Sequence, residues 1–211
     1  MSTVLQPENT DIRSCLLCGV GGQGTVLASR LIANAAMRRG LSARTAETIG
    51  MAQRGGSVVS HVRIGSRIAS PMIPEGQADV LLGFEPGEAA ANLRYLKEGG
   101  TLIVCRQEIT PVTAALGLSG YRGQDCLDWL RDRSRRCIVL DSEAICRNCG
   151  SPKVLNTAFV GALCASGAMG ITSEDARQAL RARMKPTLLE MNLRALELGA
   201  AAARGLISPQ S

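Results

Sequence analysis

The chain has 211 residues, 45% apolar and only 2% aromatic, with 24 Lys and Arg against 18 Asp and Glu for a net charge of +6. That length and apolar content support a single domain over residues 1–211 with one sizeable core. The shortage of aromatic rings, which stack on unpaired bases, argues against a nucleic-acid partner. The positive charge admits a phosphorylated cofactor or an acidic protein as partner, but the basic residues are scattered. Their one dense run, Arg131, Arg133, Arg135 and Arg136, reads as the solvated end of a helix.

In chain order, residues 12–18 form a short apolar segment expected to be the first strand. A glycine turn leads from it into a helix over 24–39, where Val26, Leu27, Leu31, Ile32 and Ala35 recur at three- and four-residue steps and Gly40 closes the last turn. Residues 42–48 read as a second strand, 49–56 as a glycine-rich loop, and 57–64 as an alternating strand that turns at Gly65. Residues 78–84 have the continuous apolar character of a strand buried on both faces. A helix over 86–97 follows, and Gly99 and Gly100 lead into a strand over 101–105. A helix over 123–135 and a buried strand over 137–140 come next. The chain closes with helices from Asp141, from Ser151 with Pro152 in its first turn, from Ser173, and over 186–203. Strands alternating with helices predict an α/β fold: a three-layer Rossmann-like domain, its sheet mostly parallel with helices on both faces.

Residues 1–11 read as a flexible lead and 204–211 as a tail. The first ten residues lack the basic start and apolar stretch of an export signal. The longest nearly apolar run, 154–171, contains Asn156, Thr157 and Ser166 and reads as a buried helix rather than a membrane span. A soluble, cytoplasmic protein with no membrane partner is expected. Eight cysteines in such a chain suggest reduced thiols or a metal site rather than disulfides. Cys15 and Cys18 share the C-x-x-C spacing, but in a strand residues three apart face opposite sides. Cys146 and Cys149, in a short helix, could ligate jointly, yet no second pair is evident. Buried or incidental thiols, and no metal, are the expectation.

Two segments carry candidate chemistry. Gly19, Gly21, Gly22, Gln23, Gly24 and Thr25 join strand to helix in a turn that can lie close to a ligand and aim backbone N–H groups and a positive dipole end at an anion. A Rossmann site also expects an acid at the end of the second strand, and Glu47 stands 23 residues after Gly24. The stretch after Glu47 is wrong for a dehydrogenase, because a glycine-rich loop and an antiparallel-looking strand replace the crossover helix. That loop is the second segment, with Met51, Gln53, Arg54, Gly55, Gly56 and Ser57. Its glycines release backbone donors, and the Gln53 amide and Arg54 guanidinium together could grip a carboxylate, a phosphate or a carbonyl. A surface turn with a solvated arginine is the alternative. The single histidine, His61, sits in an alternating strand and reads more readily as structural than catalytic. With Tyr95 and Tyr121 it forms no paired constellation, so no catalytic residue is assigned.

Residues 19–24 read G-V-G-G-Q-G and residues 47–64 read E-T-I-G-M-A-Q-R-G-G-S-V-V-S-H-V-R-I, and segments 78–84, 92–104 and 192–199 match as well. Together they resemble the gamma-type domain of the 2-oxoacid:ferredoxin oxidoreductase family, most closely the small (beta) subunit of its indolepyruvate members, over residues 13–199. The resemblance implies an oxidoreductase subunit that is inactive alone, within an enzyme that turns an aryl-2-oxoacid and coenzyme A into an aryl-acetyl-CoA, carbon dioxide and reduced ferredoxin. It places thiamine diphosphate, its magnesium (Mg) and the iron–sulfur clusters on a large (alpha) partner subunit, through which ferredoxin is reached, and leaves this chain with no cofactor of its own. The sequence agrees, having neither a Gly-Asp-Gly with a downstream Asn to hold a magnesium diphosphate nor a cluster-binding cysteine run. By the same resemblance, the glycine turn and the Gln53–Arg54 loop face the channel for substrate or coenzyme A. The four cysteines of the two C-x-x-C pairs depart from the pattern. Two other readings stay open: a free-standing Rossmann-like nucleotide-binding protein, and a structural subunit whose loops touch only protein.

Overall fold

The computed structural model describes residues 11–49, 56–109 and 120–207. Strand β1 (Arg13–Val20) has Cys15, Leu16, Leu17 and Cys18 fully buried, so both its faces are covered and it sits inside the sheet. The six-stranded sheet has the order β2-β3-β1-β4-β5-β6. β4 (Ala78–Gly83), β5 (Leu96–Cys105) and β6 (Arg136–Leu140) run parallel to β1, whereas β3 (Ser57–Gly65) is antiparallel both to β1 and to the edge strand β2 (Ser42–Ile49). Five strands therefore point one way and β3 alone points the other, which agrees with a mostly parallel sheet.

The two faces bury alternate residues of the same strands. Cys15, Leu17, Leu82 and Ile103 pack with α1 (Thr25–Arg38), α5 (Leu155–Ser166), α6 (Ser173–Arg183) and α7 (Pro186–Ile207). Leu16, Cys18, Leu81 and Leu102 pack on the other side with Ala89 of α2 (Pro86–Asn92) and Leu127 and Leu130 of α3 (Gly123–Arg133). With two phenylalanines in the chain, Phe84 stacked on Phe159 at 4.2 Å, density has to come from small residues. Helices α5 and α7 supply it. A Cβ on Gly161 would lie 2.0 Å from the Leu196 carbonyl oxygen, and one on Gly199 the same distance from that of Ala158, so the two backbones are in direct contact.

Most boundaries follow the local signals. Asp141 caps α4 (Ser142–Cys149) through Ala144 N–H, Gly150 ends it at φ 74°, and Thr172 and Asp175 form a capping box on α6. The helix expected over 86–97 is corrected: it stops at Asn92, passes through a 3-10 turn at Leu93–Tyr95, and gives way to β5 at Leu96. Leu96 pairs with Ala78, and the Lys97 ammonium binds the Asp79 carboxylate. Tertiary pairing overrides a segment whose composition suits a helix. The helix over 123–135 likewise ends at Arg133, because Ser134 turns extended to feed β6. The helix expected from Ser151 opens as a 3-10 turn at Pro152–Val154, and α7 continues through 204–207, residues whose sequence reads as tail.

Candidate functional site

The glycine turn lies at the carboxyl end of β1, between antiparallel β3 and parallel β4, which is where open α/β sheets form their ligand crevice. Gly22 and Gly24 hold φ of 102° and 85°, a region that favours glycine. Gly19 answers a different need. A Cβ there would lie 2.7 Å from Gln23 Oε1 and 2.8 Å from Phe84 Cβ, so its absence lets the Gln23 side chain fold back over the turn. Gln23 Oε1 accepts from Val20 N–H at 2.7 Å while its Nε2 donates to the Phe84 carbonyl at 2.8 Å. The amide thus fastens the end of β1 to the end of β4. Gly21 N–H donates to the Gly56 carbonyl at 2.9 Å, and Gln23 N–H to that of Val20 at 3.2 Å. Three of the turn's backbone donors are therefore already engaged within the protein. Thr25 is buried in the first turn of α1, which has no acidic residue and no side-chain cap.

The surroundings of the turn are acidic. Glu85, 3% exposed, caps α2 through Glu88 N–H at 2.9 Å and accepts the Tyr121 hydroxyl on its other oxygen. Burial first, and the Glu85 carboxylate second, push the Tyr121 phenol pKa up, which keeps it a donor. Glu88 accepts the Ser57 hydroxyl at 2.6 Å, and Glu108 accepts Gly123 N–H. Beyond them, Gln107 Oε1 accepts Ser142 N–H at 3.0 Å, and Gln107 Nε2 donates to Asp141 at 3.2 Å, joining the ends of β5 and β6. These side chains lace the carboxyl ends of the strands together. Sequence reasoning does not single out Glu85 and Glu88, although the acid–Pro–Gly–acid run after a buried strand is a helix-start signal that could have found them.

The structure brings Gly19, Gly21, Gly22, Gln23, Gly24, Thr25, Gly56 and Ser57 to one end of the sheet. It does not bring Glu47 there. That residue is exposed on edge strand β2 opposite Ser60, with β3 interposed between it and β1, about 9–10 Å away across two strand spacings. Met51, Gln53, Arg54 and Gly55 lie outside the described residues, and Gly56, the first described residue after them, accepts from Gly21 N–H. His61 is buried, accepts Ile73 N–H on Nδ1 at 3.2 Å and meets Tyr95 edge-on at 6.0 Å. Burial pushes its pKa down, so it serves the core as a neutral acceptor. Cys15 and Cys18 belong to opposite faces of the sheet, as their spacing predicts. Cys146 and Cys149 pack half-buried beside Ile145, Val154, Ala158 and Ala195. Among the described residues no helix is long and apolar enough to cross a membrane.

The sequence model of the pyruvate ferredoxin/flavodoxin oxidoreductase family matches residues 14–202. The chain belongs to this family. It is 35% identical over 194 residues to the indolepyruvate oxidoreductase subunit IorB of Thermococcus kodakarensis, covering 91% of this chain and 96% of the relative. It is 40% identical over 185 residues to the IorB subunit of Archaeoglobus fulgidus, covering 87% and 92%. The crystal structure of the gamma subunit of a keto/oxoacid ferredoxin oxidoreductase from Geobacter sulfurreducens has the same fold, with a TM-score of 0.70 at 24% identity over 92% of this chain and 98% of that one. The resemblance drawn from the paired motifs is thereby established, and the α/β fold is shared with that gamma subunit.

Proposed function

We propose that this chain is the accessory subunit of an aryl-2-oxoacid, or indolepyruvate, ferredoxin oxidoreductase. One observation carries the reading: the similarity to IorB subunits runs nearly end to end in both chains, so the whole domain, and not a shared nucleotide-binding core, is what they have in common. In this reading a large subunit holds thiamine diphosphate, magnesium and the iron–sulfur clusters, and passes electrons to ferredoxin. This chain has no Gly-Asp-Gly run to hold a magnesium diphosphate. In its glycine turn the amides of Val20, Gly21 and Gln23 are engaged and Glu88 stands next to Ser57, which leaves a diphosphate of coenzyme A only the uncapped start of α1 to bind. The same features, with Glu47 two strands away, speak against a free-standing nucleotide-binding protein.

The chain's own contribution is then a wall of the reaction channel. The fastened turn holds Gly56, and in this reading the nearby Gln53 amide and Arg54 guanidinium orient an oxoacid carboxylate or coenzyme A. Purified alone, the chain should be colourless and inactive with indolepyruvate or phenylpyruvate. Combined with a large subunit bearing the diphosphate and cluster motifs, it should give a brown complex that reduces ferredoxin or a viologen dye only with both an aryl-2-oxoacid and coenzyme A. Turnover by the isolated chain, or full activity of the large subunit without it, overturns the proposal.

A further inference from the structure

Beside α1, a groove of about 390 Å³ runs between this helix, the start of α5 and the junction of α6 with α7. Its walls carry two leucines that a monomer leaves in water, Leu27 at 60% and Leu188 at 45% exposure, above a floor that includes buried Leu180. Among the described residues, three cations line it, Arg30 from α1, Arg183 from the end of α6 and Lys185 from the junction, and no carboxylate does. None of the three makes an ion pair with any described residue, although eleven ion pairs occupy basic side chains elsewhere on the surface. Solvated cations beside exposed leucines make a surface complementary to something apolar along one stripe and negative along its flanks.

We infer that this groove receives an acidic amphipathic helix of the large subunit, its apolar stripe on Leu27 and Leu188 and its carboxylates on Arg30, Arg183 and Lys185. The inference rests on the reading of the chain as an accessory subunit. Two further observations favour a helix of a partner over other occupants. The leucines come from opposite walls, which is how a groove between helices grips a third helix at i and i+3 or i+4 spacing. A second copy of this chain would bring its own +6 charge against a groove that is already basic. Docking here also has a structural consequence, because Leu27 and Arg30 lie in the first two turns of α1, directly after the glycine turn. A partner held there is anchored to the helix that follows the turn in which Gly21 holds Gly56.

The test is association with the large subunit, measured by titration at low and at moderate salt, for the wild-type chain, for the triple variant Arg30→Glu, Arg183→Glu, Lys185→Glu, and for Leu27→Asp. The substituted residues are exposed, so each variant should melt like the wild type. The triple variant should bind at least tenfold more weakly at low salt and lose most of the salt dependence that the wild type shows, while Leu27→Asp should weaken binding at both salt concentrations. Wild-type affinity in both variants overturns the inference and leaves the subunit assignment standing. Saturable binding of coenzyme A alone that the triple variant abolishes, or a dimer of this chain that it dissociates, also overturns it by giving the groove another occupant. A wild-type chain that neither binds nor activates the large subunit defeats the subunit assignment itself.

Discussion

Replacing Gly199 by Ala tests whether the contact of α5 with α7 sets the stability of this fold. The new Cβ would meet three backbone atoms of Ala158, at 2.0 Å from O, 2.7 Å from C and 2.9 Å from Cα, and none of them can rotate aside. For that Cβ to clear 3.0 Å from the oxygen, the helices must part by at least about 1 Å, and a gap of that size forfeits roughly a quarter to a half of each dispersion contact along the seam. Overpacking of this kind costs about 1–3 kcal/mol or more. Against it stands the helix preference for Ala over Gly, about 1 kcal/mol. Gly205, exposed in the same helix with nothing within 4 Å of its Cβ position, isolates that second term. In thermal melts followed by circular dichroism, the net cost of about 0–2 kcal/mol should lower the Tm of Gly199→Ala by up to about 8 °C, and Gly205→Ala should raise it by about 2–4 °C, using about 2–4 °C per kcal/mol for a chain of this size. If both variants move the melt upward, the backbones are not in contact and the packing argument is wrong.

The remaining predictions concern the carboxyl end of the sheet and the cysteines. Gln23→Ala leaves Val20 N–H and the Phe84 carbonyl without their partner and should cost about 2 kcal/mol in urea denaturation. Unchanged stability with weakened substrate binding in the complex would instead make Gln23 a ligand contact. Arg54→Ala in the assembled enzyme should lower kcat/KM roughly tenfold to a hundredfold, the effect of removing a charged hydrogen bond worth about 1.5–3 kcal/mol, with Tm nearly unchanged. Kinetics identical to wild type would return the loop to scaffold. Cys146→Ser with Cys149→Ser should reduce stability only modestly, since both thiols are half-buried, and elemental analysis should find no bound zinc or iron before or after the change. Stoichiometric metal in the wild type that the double variant loses refutes this.

Most elements were legible because local chemistry and tertiary need agree. The strand over 78–83 has an apolar run buried on both faces, Gly40 and Gly150 adopt the positive φ of helix ends, and Pro152 opens a helical turn. Residues 93–97 were not, because Leu93 to Lys97 would satisfy a helix equally well and only the pairing of Leu96 with Ala78 decides otherwise. The alternation of 57–64 hinted at an antiparallel strand, but its insertion between β1 and β2 is a property of the assembled sheet. The fate of Gln23 is similar. Its amide is committed to Phe84, 61 residues away, and no local pattern in a glycine turn distinguishes a side chain that reaches out to a ligand from one that folds back.

That fold-back changes where binding energy can come from at this end of the molecule. A phosphate or carboxylate approaching a Rossmann-type turn is held by free amides and a helix dipole. Here the amides of Val20, Gly21 and Gln23 are engaged, and Glu85 and Glu88 bring negative charge to α2 next door. An anion would be repelled unless a cation answered those carboxylates. Between Glu47 and His61 the sequence offers one, Arg54, in a segment otherwise free of charge and flanked by Gly50, Gly55 and Gly56. In the proposed reading Arg54 answers those carboxylates toward an anionic substrate, which is why Arg54→Ala should weaken catalysis while the fastened turn keeps the fold intact.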